Sequence, residues 1–338
     1  MNQIIVFLLI GSITLYLISK IFFKFNLLIE KVDKNIHKKF LISNDRKNYS
    51  GGFFLLLASI FVFFDQSIYF KICIILIYFV GTLSDIDLVS SPKIRLFIQL
   101  VIIILFTILT GVYVEETKVI FIDYLLNYKI IKLIFTIFCF MVLINGCNFI
   151  DGVNTLLVGY YLIVLGCIKF VSSYSNIFLD LNNINLLFCT LLILFFFNFF
   201  SKVLMGDSGA YFLGLIFGYF AINLSNNNLD ISPIFILNLL WYPAFENLFS
   251  IIRKLKTKTS ISKPDNLHLH HLVYKKINSK LFKFKYKNSL TGILINFVNL
   301  ILLFISCLVA HHSIYLSIIL ILSMFIYLLT YYNLKKNI

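Results

Sequence analysis

GGFFLLLASIFVFFDQSIYFKICIILIYFVGTL, residues 51–83, decides how this chain is threaded. It is apolar except for Asp65, Gln66 and Lys71. As one helix it would run about 50 Å at 1.5 Å per residue, far beyond a hydrocarbon core of roughly 30 Å. The Asp65-Gln66 pair therefore predicts a break, with a short span on either side. A single tilted span here would invert the orientation of everything that follows.

Working outward, the N-terminal side holds one apolar run, residues 3–23. No basic segment precedes it and no small-residue cleavage site follows, so it reads as a permanent helix and not as a signal peptide. Lys24, Lys31, Lys34, Lys38, Lys39, Arg46 and Lys47 come next. That density of positive charge predicts a cytoplasmic segment, with the N-terminus outside. On the C-terminal side, apolar runs recur at about 94–113, 130–147, up to 172, 184–200, 208–224, 232–252, 289–310 and 313–331. The alternation leaves residues 114–129 and 173–183 outside. It places 253–288, with eleven Lys or Arg, inside. The fold expected is an all-α integral membrane protein, a polytopic bundle of about eleven transmembrane helices in one domain over 1–338, N-terminus out and C-terminus in.

Composition agrees. The chain is 60% hydrophobic and only 13% charged, against roughly 25% charged residues in soluble domains. Its net charge of +14 falls between spans, where positive charge is expected in a membrane protein, and does not call for nucleic acid. The same charge suits anionic lipid or a phosphorylated substrate. The six cysteines lie in or beside apolar runs without a C-x-x-C pair, and read as buried thiols.

Four polar blocks interrupt the apolar runs. The first is Gly81-Thr-Leu-Ser84-Asp85-Ile-Asp87, followed by Ser91-Pro92-Lys93 and Gln99. Alone, it also reads as a solvated loop with Pro92 opening the next helix. The second is Asn145-Gly-Cys-Asn148-Phe-Ile-Asp151-Gly152-Val-Asn154. Its spacing of three sets Asn145, Asn148 and Asp151 along one side of a helix. Amides there can read a base or ribose, and Asp151 can accept from hydroxyls; a capped helix end with Gly152 at C′ is the plainer reading.

The third block runs from Asn198 through Lys202 to Met205-Gly-Asp207-Ser-Gly209. A carboxylate at the mouth of a span is costly unless paired. A phosphate-bound Mg²⁺ suits it, and an ordinary N-cap turn is the alternative. The fourth is His268-Leu-His270-His271, after Pro264-Asp265. Imidazoles can face a pyrophosphate as donors. A surface run or a zinc site are the other readings, although His270 and His271 are adjacent and no Cys is near. On the expected topology Asp85, Asp151, Asp207 and Glu246, with Lys93, Lys202, Arg253 and the histidines, all fall at cytoplasmic ends. A secondary transporter would instead hold its charges near the midplane.

The order of these blocks resembles the polyprenyl-phosphate N-acetylhexosamine-1-phosphate transferases, from about Arg46 to His271. It carries the Gly51-Gly52 pair and the G-x-x-[DS]-D, N-x-x-N-x-x-D-G, M-G-D-x-G and H-x-H-H blocks. The H-x-H-H form resembles the glycan-initiating branch, undecaprenyl-phosphate GlcNAc-1-phosphate transferase-like. The resemblance implies transfer of a HexNAc-1-phosphate from a UDP-sugar to undecaprenyl phosphate in the bacterial inner membrane. UMP leaves, and the product starts a cell-surface glycan of the O-antigen or polysaccharide type. It implies Asp207 on Mg²⁺ (or Mn²⁺), Asp85 beside the lipid phosphate, and Asp151, Asn145, Asn148, Asn154 and Asn198 lining the nucleotide pocket. Lys47, Lys93, His268, His270 and His271 would hold phosphates. The implied partners are UDP-HexNAc, undecaprenyl phosphate and membrane lipid; homodimer assembly is left open and nucleic acid is not expected.

The chain departs from the family pattern at several points. Ser84 stands where most members have a second Asp, which leaves direct attack by the lipid phosphate. Asn154 replaces an acid, Leu204 a frequent Phe, and the stretch from Asn198 to Gly206 is about one residue short. Ser84 and Asn154 motivate an inactive scaffold as one alternative; a transporter of a phosphorylated solute is another.

Overall fold

The helix over residues 51–83 does break. In the computed structural model, which describes residues 2–29, 47–175, 181–260, 265–279 and 285–336, α2 (Ser50–Val62) ends before Asp65 and α3 (Ile68–Asp85) begins after Gln66. Ser67 caps α3 by accepting the Phe70 N–H at 3.2 Å, and Lys71 Nζ donates back to the Phe64 carbonyl at 2.6 Å. The polar residues thus satisfy the helix ends that a break exposes. Most of the basic segment 24–47 lies outside the described residues, as does Pro264.

Among the described residues all regular elements are helices. In order, α1 (Asn2–Lys24) precedes α2 and α3, and α4 (Pro92–Thr110), α5 (Ile120–Leu126), α6 (Lys129–Ile150) and α7 (Leu156–Ser172) follow. Then come α8 (Leu181–Phe199), α9 (Gly206–Asn227), α10 (Pro233–Leu239), α11 (Trp241–Lys256), α12 (Leu269–Ser279), α13 (Lys287–Leu308) and α14 (Ser313–Lys336). Eight of them, α1, α3, α4, α6, α8, α9, α13 and α14, are long and apolar enough to cross a bilayer. The apolar helices α2 and α7 are shorter, at 13 and 17 residues. The chain is a polytopic helical membrane protein.

One expected span is bent. Residues 232–252 are not one straight span: α10 and α11 meet at Leu240 with a bend of 72°. The reason is Pro243, which has no N–H to give the Leu239 carbonyl four residues back. The Tyr160 hydroxyl donates to that carbonyl instead, at 2.9 Å. The described part of 253–288 carries structure of its own. Arg253 and Lys254 are buried within α11, and the segment contains α12.

Helix α9 is the axis of the bundle, with 78% of its apolar window buried. It packs on α2, α3 and α6. Its approach to α3 is backbone on backbone, because a Cβ on Gly81 would lie 2.3 Å from Ser208 Cα. By contrast α1 and α14 bury only 17% of their windows and turn Ile, Leu and Phe outward, as lipid-facing helices do.

Candidate active site

The close approach at Gly81 fixes the next four residues. Asp85, in the last turn of α3, accepts the backbone N–H of Asp207 at 2.8 Å and of Ser208 at 3.1 Å. It therefore caps α9 from another helix, satisfying two N–H groups that a helix start leaves open. Gly206 must be glycine here: its φ is +70° and a Cβ would fall 2.6 Å from Asp85 Oδ2. Asp207 itself points the other way. Its Oδ2 accepts from Ser84 Oγ at 2.5 Å and from the Arg95 guanidinium at 2.7 Å, with Tyr211 Oη at 3.4 Å. Arg95 also donates to Ser84 Oγ. Oδ1 of Asp207 accepts no hydrogen bond among the described residues, and the side chain is about a fifth exposed.

Arg95 is the residue that the motif reading passes over. It sits one turn into α4, among apolar residues, and belongs to no recognisable block. The available signal is rarity, since it is one of three arginines in the chain and the one that opens an apolar span. Lys93, read as a phosphate holder, is exposed at the start of α4 and makes no ion pair among the described residues.

The end of α6 connects this carboxylate pair to the histidines. Asn148 bonds Tyr211, which also faces Asp207. Asn145 donates to Gln99 Oε1 at 3.2 Å on α4. Phe149 lies 5.1 Å from the His268 ring, and Gly152 backs directly on His270. Asp151 closes α6 at its C-cap, between these two contacts. Three of the blocks thus meet at one end of the bundle through α6.

Asn154 and Asn198 are engaged by their own chain. The Asn154 amide donates to Ser201 Oγ at 2.7 Å, and its N–H goes to Asn288 Oδ1 at 2.6 Å. Asn198 Oδ1 accepts the Thr155 N–H at 2.5 Å and its Nδ2 donates to the Val203 carbonyl at 2.8 Å. Both are buried and brace the turn 201–205, whose Leu204 carbonyl in turn accepts the Gly51 N–H at 3.1 Å. Lys47 is buried and precedes Asn48, whose carbonyl accepts the Leu204 N–H at 2.9 Å.

In the fourth block, His268 Nδ1 lies 2.9 Å from Glu246 Oε1. His270 is buried with no hydrogen-bond partner on either ring nitrogen among the described residues, and His271 Nδ1 is likewise unpartnered. Burial holds His270 well below the ordinary imidazole range, with His271 and His268 beside it adding to the shift. Burial, and then His268, pushes His271 down to about 3. Asp265 feels burial raising it, but His268, the Leu267 N–H, Arg253 and Lys254 together hold it below the usual carboxylate range.

Hard carboxylate oxygens at Asp207 and Asp85, one with a vacant oxygen, fit a Mg²⁺ or Mn²⁺ ion shared with phosphate ligands. Among the described residues no three His, Cys, Asp or Glu side chains are grouped to hold a metal by themselves. The donors therefore suit an ion completed by substrate oxygens better than a closed zinc site.

Residues 67–225, which run from the cap of α3 to the last turn of α9, match the model of glycosyl transferase family 4. The match covers just under half of the chain, which is similar to that family over this stretch. Among curated relatives, it is 28% identical over 183 residues to a probable undecaprenyl-phosphate N-acetylglucosaminyl 1-phosphate transferase of Bacillus subtilis, covering 54% of this chain and 51% of that one. It is 26% identical over 213 residues to the undecaprenyl-phosphate alpha-N-acetylglucosaminyl 1-phosphate transferase of Yersinia pestis, covering 60% and 56%. To the Salmonella typhi protein of the same name it is 25% identical over 297 residues, covering 81% and 76%. The chain spans about half the length of the first two relatives. The glycosyl transferase family 4 match contains Asp85, Arg95, Asp151 and Asp207, and stops short of Glu246 and the histidines.

Proposed function

We propose that this chain transfers a HexNAc-1-phosphate from a UDP-sugar to undecaprenyl phosphate and releases UMP, as the first membrane step of a cell-surface glycan. The observation that carries this reading is the pairing of Asp85 and Asp207 across the α3–α9 contact, with Arg95 and Ser84 on the same carboxylate. A lipid phosphate oxygen attacks the phosphorus that bears the sugar, and the bond to the UMP oxygen breaks. Phosphoryl transfer of this kind asks mainly for positioning and charge stabilisation. Arg95 and the N-terminal end of α9 favour phosphate charge at the site. Asp207 Oδ1 and Asp85 would hold the Mg²⁺ or Mn²⁺, which when bound neutralises charge on the pyrophosphate. Asp151, Asn148 and Asn145 on α6 face the nucleotide, and Asn154 and Asn198 shape the turn below it. Lys47 and Lys93 assist with phosphates. The test is a radiolabel assay with membranes, undecaprenyl phosphate, Mg²⁺ and a panel of UDP-HexNAc donors, UDP-GlcNAc first. No lipid-linked product with any donor would sink the reading.

The arrangement proposed is eleven crossings of the bacterial inner membrane: eight long helices, α2, α7 and the broken α10–α11 pair. The N-terminus is out, the C-terminus in, and the site opens to the cytoplasm. In intact cells Lys276→Cys is expected to resist an impermeant thiol reagent added outside, while Lys118→Cys labels, with the native thiols as background. Ready labelling at position 276 would overturn the orientation.

The depressed histidines give a further expectation. With folded values below the unfolded imidazole value of about 6.5, His270 and His271 are neutral in the free protein at pH 7. Between about 3 and 6.5 the unfolded chain binds protons that folded His271 does not, so its contribution to stability is present above that window and lost as pH falls. A phosphate arriving beside the pair favours the charged form. Sugar-nucleotide binding should therefore take up protons and weaken as pH rises. Calorimetry at pH 6 in buffers of different ionisation enthalpy reads the uptake directly. Uptake unchanged in His270→Gln and His271→Gln would defeat the assignment.

A further inference from the structure

Glu246 takes no part in the scheme above, yet among the described residues it is the one acidic side chain with no exposed surface. Leaving a carboxylate that deep without partners would be costly. Both its oxygens are engaged: Oε1 with His268 Nδ1 at 2.9 Å, and Oε2 by the Tyr327 hydroxyl of α14 at 2.7 Å. On the opposite side of the His268 ring, Nε2 lies 3.6 Å from Asp265 Oδ1. Asp265 is itself gripped by Arg253, at 2.8 and 3.0 Å, and Arg253 also reaches the Tyr331 hydroxyl at 3.2 Å. Tyr327 thus holds one of the two acids that flank the imidazole, and Tyr331, one helical turn on, reaches the other only through Arg253. Glu246 is hydrogen-bonded to one ring nitrogen, and Asp265 stands at ion-pair distance from the other.

The other two histidines differ. The His270 ring lies parallel to His268, 8° between planes at 5.6 Å, and His271 follows at 4.2 Å. Neither His270 nitrogen has a partner among the described residues, nor does His271 Nδ1. One histidine is therefore flanked by two acids, while the other two, one stacked on it and one edge-on to it, keep ring nitrogens without partners among the described residues.

We propose that the H-x-H-H block divides its labour: Glu246, backed by Tyr327, is a positioning residue that pins His268 as an anchor, and the anchored ring sets His270 and His271 toward the phosphates. What those two meet rests on the transferase reading; how they are held does not. The arrangement makes α14, far outside the family match, a working part of the site.

Two measurements on the full chain in nanodiscs test this. The first is amide exchange over residues 265–279. Glu246→Gln removes a charge-assisted bond and is expected to speed exchange there about tenfold, Tyr327→Phe less, with the first turn of α9 unchanged. Exchange that is unaltered in both variants overturns the proposal, and a Glu246→Gln protein that does not fold leaves Tyr327→Phe to decide. The second is a double-mutant cycle read as KM for UDP-GlcNAc. Glu246→Gln should raise KM about tenfold in the native background and change it little in His268→Ala, because the carboxylate acts through that ring. Equal effects in both backgrounds would show an independent, merely structural Glu246 and reject the positioning role. Should the native protein turn over no UDP-sugar, the transferase reading fails, and the exchange result still decides whether Glu246 holds the block.

Discussion

Asp207→Asn is expected to cut transfer by about a thousandfold, equivalent to roughly 4 kcal/mol of transition-state stabilisation, while the protein still folds. The substitution keeps size but removes the charge that Arg95 pairs with at 2.7 Å and presents an amide where Ser84 Oγ and the guanidinium both donate. It also removes the negative oxygen, Oδ1, that the proposed scheme gives to a divalent ion. Added Mg²⁺ or Mn²⁺ should therefore restore activity poorly. The side chain is partly exposed and makes no contribution to the α9 cap, so thermal unfolding in detergent should move little. Single-turnover transfer at limiting and saturating Mg²⁺ measures the effect. A near-native rate at limiting Mg²⁺ would remove Asp207 from the mechanism.

Asp85→Asn should be comparably severe in rate but differ in kind. The Asp85 carboxylate accepts two N–H groups, from Asp207 and Ser208. An asparagine must turn its NH₂ toward one of them, leaving donor against donor. A buried N–H left unsatisfied costs about 1–3 kcal/mol, so this variant should also lower thermal stability. Displacing the first turn of α9 shifts Asp207, and a loss on the order of a hundredfold or more in rate is expected from misplacement alone. Metal affinity should fall less than in Asp207→Asn. The pair of variants thus separates charge from placement. Equal melting behaviour in the two, with Asp85→Asn active, would refute the capping role.

Several elements were legible in the sequence because length or rarity betrayed them. The break at Asp65-Gln66 follows from the mismatch between 33 apolar-rich residues and a bilayer, and the structure breaks within that stretch. The four blocks announced a site because polar groups at span ends need partners. What stayed hidden was the identity of those partners. Pro243 could have warned of the bend at Leu240, but Tyr160, which takes the freed carbonyl, lies 79 residues away from Leu239. Arg95 carries no motif, and only the fold brings it to Asp207. Ser84 looked like a loss against the family pattern, yet its hydroxyl sits on the Asp207 carboxylate. Asn154 and Asn198 show the reverse: an amide is equally able to bind a ligand or a turn, and nothing local says which. His268 is set apart from His270 and His271 by Glu246, 22 residues upstream.

The contact between Gly81 and Ser208 has a consequence for how such a protein diversifies. Where two helices touch through backbone atoms, no side chain stands between them to be enlarged, trimmed or repacked. The separation of Asp85 from Asp207 behaves as a ruler cut into the main chain, indifferent to changes on the lipid-facing surface. Selection for a new ligand cannot stretch it. Novelty has to enter through segments not bolted to that ruler, which can be rewritten while the spacing of the two carboxylates stays put.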